Sequence, residues 1–403
     1  MMTRPGGRRG GPPAPNNKGL QRSIAYLRQQ GRRAILPYTF LIIATLSQLA
    51  VPRLVRDIID AVTNGYVAGQ VLQAWDKIPS AFQSAAVTKL LEQFSLPSTW
   101  TQDQFLAEMH NRFDGAPQAL INAALAIVLF ATLRGVFAFL QTFWAERNSQ
   151  GVAFDLRNDL YAKIQRLSFS YYDSNQTGQL MIRATDDVEK VRLFLGQGLV
   201  QLVGAIVLLT GTLIVLFTTN VPLAWTAIWI LPVALVLFMV FGMISQPLFA
   251  KVQQRLSTLN TILQENLAGI RVVQAFTREK QEQTKFQSAA DQLLSQQIGL
   301  SRLFTFLFPL IFLIANLGQA TVLYFGGQQI ITGTLTLGQY QEFSLYLVYL
   351  FFPVAQLGFI ITQLGQAGAS AGRIFEILDA KSDVVDKPDA KAMPAVEGRI
   401  RFE

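Results

Sequence analysis

The sequence predicts an all-α polytopic membrane protein with six transmembrane helices and long cytoplasmic helical extensions. Three observations predict it. Of 403 residues 51% are hydrophobic and only 15% charged, more apolar surface than a soluble fold would bury. Six charge-poor windows reach the roughly 20 residues needed to cross a hydrocarbon core about 30 Å thick. Lys and Arg are dense in alternate connections and sparse in the others, as the two sides of a membrane require. There is no cysteine and one histidine, His110, so disulfides and a His/Cys metal cluster are excluded. The formal charge of +8 is a topology signal before it is a nucleic-acid signal, because eight basic residues and no acid fall in the first 33 positions.

The elements follow in order. The tail MMTRPGGRRGGPPAPNNKG has no apolar core, so no cleavable signal peptide is expected from it. Leu20, Ile24 and Leu27 beside Arg22, Arg28, Arg32 and Arg33 predict an amphipathic helix on the cytoplasmic leaflet, held by acidic headgroups, so that 1–33 is a basic tail plus an interfacial helix. No run of stacking aromatics supports an RNA-binding arm. The windows are Ala34–Pro52, Gly115–Leu133, Leu195–Ile244 divided at Asn220-Val221-Pro222, and Leu303–Gly372 divided at Thr332-Gly333-Thr334. Both divided stretches are helical hairpins, since their turns are short and uncharged. Connections at the N-terminus, Glu146–Arg192, Pro247–Arg302 and from Arg373 onward hold 8, 7, 7 and 6 basic residues, and those on the opposite side 5, 0 and 0. Both termini and both long connections are therefore expected in the cytoplasm, with the chain in the cytoplasmic membrane and the lipid bilayer as its first partner.

The external connection between the first two windows, 64–117, is long. A capping box, Thr101 with Gln104, starts a helix there, and Asp114-Gly115 is expected to stop it. Tyr66, Trp75, Phe82, Phe94, Trp100 and Phe105 supply apolar material for a lid or cap. On the cytoplasmic side, Val152, Leu156, Leu160, Ile164 and Leu167 form the stripe of an amphipathic helix that extends the second span. Leu256, Leu259, Leu263, Leu267 and Ile270 do the same after the fourth span, and Phe286, Ala290, Leu293 and Leu294 before the fifth. Twenty such residues project roughly 30 Å at ~1.5 Å each.

Four blocks carry a family resemblance: DLRNDLYAKIQRLSFSYYDSNQTGQLMIRATDDVEKV (155–191), ENLAGIRVVQAFTREKQEQTKF (265–286), ASAGRIFEILD (369–379) and EGRIRFE (397–403). In order, they resemble the two intracellular regions, the end of the sixth helix and the first motor strand of ATP-binding-cassette exporters of the six-helix, domain-swapped type. The resemblance implies a six-helix transmembrane domain over 34–379, a charged, proline-bearing linker at 380–396 and the start of a nucleotide-binding domain at 397–403. It implies that the stalk tips are coupling helices contacting that motor: Tyr171, Tyr172 and Asp173, with Gly178 letting the chain reverse, and Ala275, Phe276, Thr277 and Arg278. No G-x-x-x-x-G-K-[ST] loop occurs, so no catalytic residue is assigned and none of these residues is expected to bind a cofactor. ATP and Mg²⁺ are expected in the nucleotide-binding domain, and a homo- or heterodimer is implied.

Within the spans, Gln48, Gln197, Gln201, Asn316, Gln319 and Gln363 are candidates for a cavity that holds a hydrophobic drug or lipid, or for helix-to-helix bonds. Arg134 is placed to snorkel near the inner leaflet. Glu342 is expected near the outer end of the sixth helix, where a proton-coupling role would need partners that the sequence does not show. The function expected is the transmembrane part of an ATP-driven exporter of hydrophobic or amphiphilic substrates working by alternating access. A motor-less membrane interaction protein with the same fold is the competing reading.

Overall fold

The computed structural model describes residues 17–381 apart from 76, 78, 94–96 and 98, together with 389, 390, 398 and 401. Among these residues there is no strand. The linker and motor-strand expectations at 380–403, and Phe94, lie largely or wholly outside the described residues. The helices are α1 (Asn17–Gln29), α2 (Leu36–Trp75), α3 (Ser80–Gln93), α4 (Gln102–Ile164), α5 (Phe169–Ser174), α6 (Thr177–Ile182), α7 (Val188–Leu193), α8 (Leu199–Thr219), α9 (Val221–Ile228), α10 (Ile230–Ala268), α11 (Ile270–Ala275), α12 (Glu279–Ile331) and α13 (Leu337–Asp379). Short π-helical turns, Arg183–Asp187 and Phe194–Gly198, join α6 to α7 and α7 to α8.

Among the described residues, five segments are long and apolar enough to cross a membrane: Gly31–Trp75, Gln102–Ile164, Thr177–Thr219, Val221–Ala268 and Glu279–Ile331. The 43-residue α13 is the sixth long helix. The two hairpin turns lie where the sequence puts them. Asn220 caps α9 by accepting the Leu223 N–H at 2.9 Å, with Pro222 in the first turn where its missing N–H costs nothing. Gly333 has φ +76, a left-handed conformation that glycine enters without strain.

Two compact units are described separately. The first comprises residues 17–39, 140–201 and 360–381 with the described residues beyond. Its core holds Val152, Leu156 and Leu160, the predicted stripe of α4, with Val188, Val191, Phe194, Ala367, Ala371 and Ile374. Leu20, Ile24 and Leu27 of α1 join this core, so the apolar face assigned to lipid by the sequence meets protein. The polar side of α1 is engaged too. Arg22 forms a two-pronged pair with Asp379 (2.5 and 2.9 Å) and lies 4.1 Å over the Phe375 ring, Tyr26 donates to Asp159 at 2.6 Å, and Gln30 donates to Asp155 at 3.1 Å. Burial, reinforced by the bond to Asp159, pushes the Tyr26 hydroxyl up to about 12, and the bond to Asp379 raises Arg22.

The second unit comprises 40–139 and 202–359. Leu49, Leu216, Leu223, Ile230, Ile314, Val322, Phe343, Tyr346 and Leu350 form its membrane-level core. A separate cluster of Ala68, Trp75, Val87, Leu91, Phe105 and Met109 gives the 64–117 insert its own small core. The predicted capping box is present: Thr101 N–H donates to Gln104 Oε1 at 3.0 Å and Gln104 N–H to Thr101 Oγ1 at 3.4 Å. The expected stop at Asp114-Gly115 is not. The helix runs through it and through Pro117 as one 63-residue rod, about 95 Å at ~1.5 Å per residue. Packing on both sides of the dipeptide explains this: a Cβ on Gly65 would lie 2.6 Å from Ala116 Cβ, and one on Gly69 would lie 2.9 Å from the Phe113 ring. The extensions of α2 and α4 are thus in intimate contact, and that contact outweighs the propensity penalty of about 1 kcal/mol for a helical glycine.

Candidate functional site

The first stalk tip is α5 and the turn after it. Tyr171 and Tyr172 are half-buried, packed against the first unit's core with their rings 6.5 Å apart and edge to face. The Tyr172 hydroxyl donates to the Ile164 carbonyl at 2.6 Å. These tyrosines fasten the tip to its own stalk, while Asp173 is exposed. The outward aromatic is Phe169, 87% exposed, which the sequence reading passed over. Its position two residues from Tyr171 was the available signal, because residues i and i+2 of a helix point to different sides. Gly178 does not make the reversal. Asn175 and Gln176 do, in extended backbone, with Asn175 Nδ2 bonded to the Tyr171 carbonyl at 2.9 Å, and Gly178 sits inside α6.

The second tip is α11 and the residues that follow. Ala275 ends α11, and Phe276 lies at its C-terminal boundary, 71% exposed. Thr277 has φ +52, the left-handed region that β-branched residues rarely adopt. The reversal is held by Arg278, whose N–H donates to the Val273 carbonyl at 2.9 Å and whose guanidinium donates to Gln281 Oε1 at 2.7 Å. The stripe read on α10 is mostly not buried within the chain. Leu256, Leu263, Leu267 and Ile270 are exposed, while Val252, Leu259 and Ile262 are half-buried. On α12, Ala290 and Leu293 are half-buried, and Phe286 and Leu294 are exposed.

At the end of α13, a polar ladder absent from the sequence reading grips the first stalk. Ser370, Arg373, Glu376 and Asp379 recur every third residue. Arg373 makes a two-pronged bond to Asp187 (2.8 and 2.5 Å), Ser370 donates to Asp187 at 2.9 Å, Glu376 lies 3.3 Å from Arg183, and Asp379 takes Arg22. Asp187 is only 2% exposed and sits in the π-helical turn before α7. Nearby, Arg192 is held by Glu189 (2.9 and 2.6 Å) and by Glu146, tying α7 to α4. The i+3 spacing was visible in the sequence; its partners, 183 and 186 residues away at Asp187 and 357 away at Arg22, were not.

The six polar cavity candidates have separate surroundings. Gln319 donates to Ser344 at 2.8 Å, joining α12 to α13, and exposed Asn316 back-bonds to the Phe312 carbonyl at 2.8 Å. Gln48 and Gln201 are half-buried, and Gln197 is exposed. A Cβ on Gly198 would lie 2.8 Å from Gln363 Oε1, which is buried without a hydrogen-bond partner. Arg134 is exposed on α4. The expectation that Glu342 lacks partners is overturned: it is fully buried with Arg56 at 3.3 Å and Arg53 at 3.6 Å.

Comparison with known proteins places this architecture. Residues 36–354 match the family model described as the ABC transporter transmembrane region. The chain is 33% identical over 280 residues to an uncharacterized ABC transporter ATP-binding protein, YknU, of Bacillus subtilis, covering 70% of the chain and 48% of that protein. It is 29% identical over 278 residues to an ATP-dependent lipid A-core flippase of Syntrophus aciditrophicus (69% and 46%). It is 28% identical over 416 aligned positions to a fatty acid ABC transporter ATP-binding/permease protein of Mycobacterium bovis (100% and 63%). The chain spans roughly half to two thirds of the length of these relatives. Because the family model covers most of its length and its helices extend into long stalks, the chain belongs to the ABC transporter transmembrane family and has the all-helical membrane domain of an exporter of that class.

Proposed function

We propose that the chain forms the membrane pathway of an ATP-driven exporter, paired as a homo- or heterodimer and driven by nucleotide-binding domains that hold ATP and Mg²⁺. Both termini lie in the cytoplasm, and the substrate is an acyl-chain amphiphile moved outward across the cytoplasmic membrane by alternating access. The observation that carries the reading is the pair of stalk tips. Each presents one large exposed aromatic, Phe169 or Phe276, on a reversal fixed by backbone bonds. An exposed aromatic on a rigid tip is the kind of anchor that fills a pocket on another domain. The substrate class is supported by two relatives named for lipid A-core and for fatty acid. The dimer is supported by the α10 stripe, where Leu256, Leu263 and Leu267 are exposed among the described residues.

The test is ATP-dependent movement of a fluorescent fatty acid or lipid in vesicles that contain the protein together with its nucleotide-binding domains. Accumulation that needs ATP and Mg²⁺ is expected. ATP hydrolysis that no amphiphile stimulates, with no movement of any acyl-chain probe, would remove the exporter reading.

A further inference from the structure

The strongest unassigned feature is a widened turn in the segment that leads into α8, within the first unit. The buried stripe Val188, Val191 and Leu195 steps by three and four residues, as one face of an α-helix does, and then by five to Val200. The backbone explains the longer step. Phe194–Gly198 is a π turn in which the Leu199 N–H reaches back five residues to the Phe194 carbonyl, so one extra residue is taken up between two stretches of ordinary helix. Turns of this kind are rare inside α-helices and occur mostly at functional positions.

Upstream, the segment is fixed by charge: Asp187 is held by Arg373 and Ser370, and Arg192 by Glu189 and Glu146. The turn itself is fitted between two neighbours that leave no room for a side chain. A Cβ on Gly196 would lie 2.7 Å from Ser149 Oγ of α4, and one on Gly198 would lie 2.7 Å from the Phe194 ring and 2.8 Å from Gln363 Oε1 of α13. Gln197, between the two glycines, is exposed. Gln363 Oε1 is buried without a hydrogen-bond partner, and Gly198 opposite it has no side chain to supply one. A buried acceptor left in that state costs about 1–3 kcal/mol.

A change of register supplies the missing donor. Because the π turn absorbs an extra residue, Gly198 stands where residue 197 of an unbroken continuation of α7 would stand. When the extra residue is taken up one turn later, both flanks keep their places and only the residues between them turn, by about 100° each. Gln197 then replaces Gly198 beside α13. Its amide donates to Gln363 Oε1, the far end of a flexible side chain that gives way to admit it.

We propose that Phe194–Gly198 is a sliding π turn, whose extra residue passes between this turn and the next and so exchanges Gly198 for Gln197 opposite Gln363. Both glutamines are positioning residues here. Taken with the exporter reading, the exchange gives the pathway two polar linings; the two registers themselves stand apart from that reading, since neither needs a substrate or a motor.

Hydrogen exchange followed by mass spectrometry tests this on the 403-residue chain in phosphatidylethanolamine/phosphatidylglycerol nanodiscs, with no nucleotide-binding domain present. The amides of residues 195–202 are expected to exchange faster than those of α7 before them and of the middle of α8 after them. Deletion of Gln197 removes the extra residue and should slow these amides about tenfold or more, with the melting temperature unchanged or raised. Deletion of Ile206, from regular helix, should lower it, because every later face of α8 is turned by about 100°. Gln363→Leu removes the acceptor that the second register satisfies, so the same amides should slow in a protein that folds normally, and Gly198→Ala, which crowds the present register, should quicken them while α7 is unchanged. Three results overturn the proposal: exchange at 195–202 that is the same in the wild type and in Gln363→Leu, a melting temperature that falls as far on deleting Gln197 as on deleting Ile206, or quickening in Gly198→Ala that spreads equally into α7. None of these outcomes depends on transport, so slowing by Gln363→Leu in a protein that moves no amphiphile keeps the sliding turn and removes the exporter reading.

Discussion

Asp187 shows how one side chain fixes the attachment of a whole helix. It is buried, it accepts from both Ser370 and Arg373, and its charge is compensated only while Arg373 is present. Removing one partner of a buried ion pair typically costs about 3–5 kcal/mol, because the other charge is left unpaired. Arg373→Ala is therefore expected to lower the thermal midpoint markedly, whereas Arg22→Ala, which breaks an exposed pair worth about 0–1 kcal/mol, should change it little. Differential scanning fluorimetry of the two variants side by side checks the ranking; equal shifts would place the grip on α13 elsewhere. At the tips, Tyr172→Phe removes only the hydroxyl bond to Ile164 and should cost about 1 kcal/mol. The residue scale was the least legible in the sequence. Spacing identifies a face, so Val152, Leu156 and Leu160 were found, but it does not say which aromatic of Phe169, Tyr171 and Tyr172 turns inward. That choice is made by the cluster the tip folds against.

At the scale of elements the sequence was readable wherever local chemistry and tertiary packing agree. Asn220 with Pro222, the Gly333 turn and the Thr101–Gln104 box were legible because each boundary is made by the residues that mark it. Asp114-Gly115 misled because the helix there is held from outside, by Gly65 and Gly69 of α2 against Ala116 and Phe113. The leucine stripe of α10 was found as a periodicity, yet Leu256, Leu263 and Leu267 stay exposed and only Leu259 is half-buried. A prediction follows for the insert. Phe105 is fully buried in its small core, so Phe105→Ala should destabilise that core by about 3–5 kcal/mol. The membrane-level core is a separate cluster and should be spared. Hydrogen exchange would show faster opening of α3 and the first turns of α4, with α8 and α12 unchanged. Protection lost equally across all four helices would mean that the insert is an integral part of the bundle.

For the whole molecule the question is whether the stalk tips transmit or only pack. The two tips differ in a way that separates these roles. Tyr172 is bonded to its own stalk, whereas Phe276 is exposed and touches little within the chain. If Phe276 anchors a nucleotide-binding domain, Phe276→Ala removes an interface aromatic whose loss typically costs about 2 kcal/mol or more in docking. The isolated chain should melt as before, because an exposed ring contributes little to its fold. In the assembled transporter, substrate-stimulated ATP hydrolysis and transport should fall together, while basal hydrolysis persists because the nucleotide site is untouched. Phe169→Ala should behave in the same way, and Tyr172→Ala should differ from both by lowering the melting temperature of the chain alone. The measurement is stimulated and basal ATPase for all three variants beside their melting curves. Full stimulation in Phe276→Ala and Phe169→Ala would exclude the exposed tip aromatics as the contact between membrane and motor.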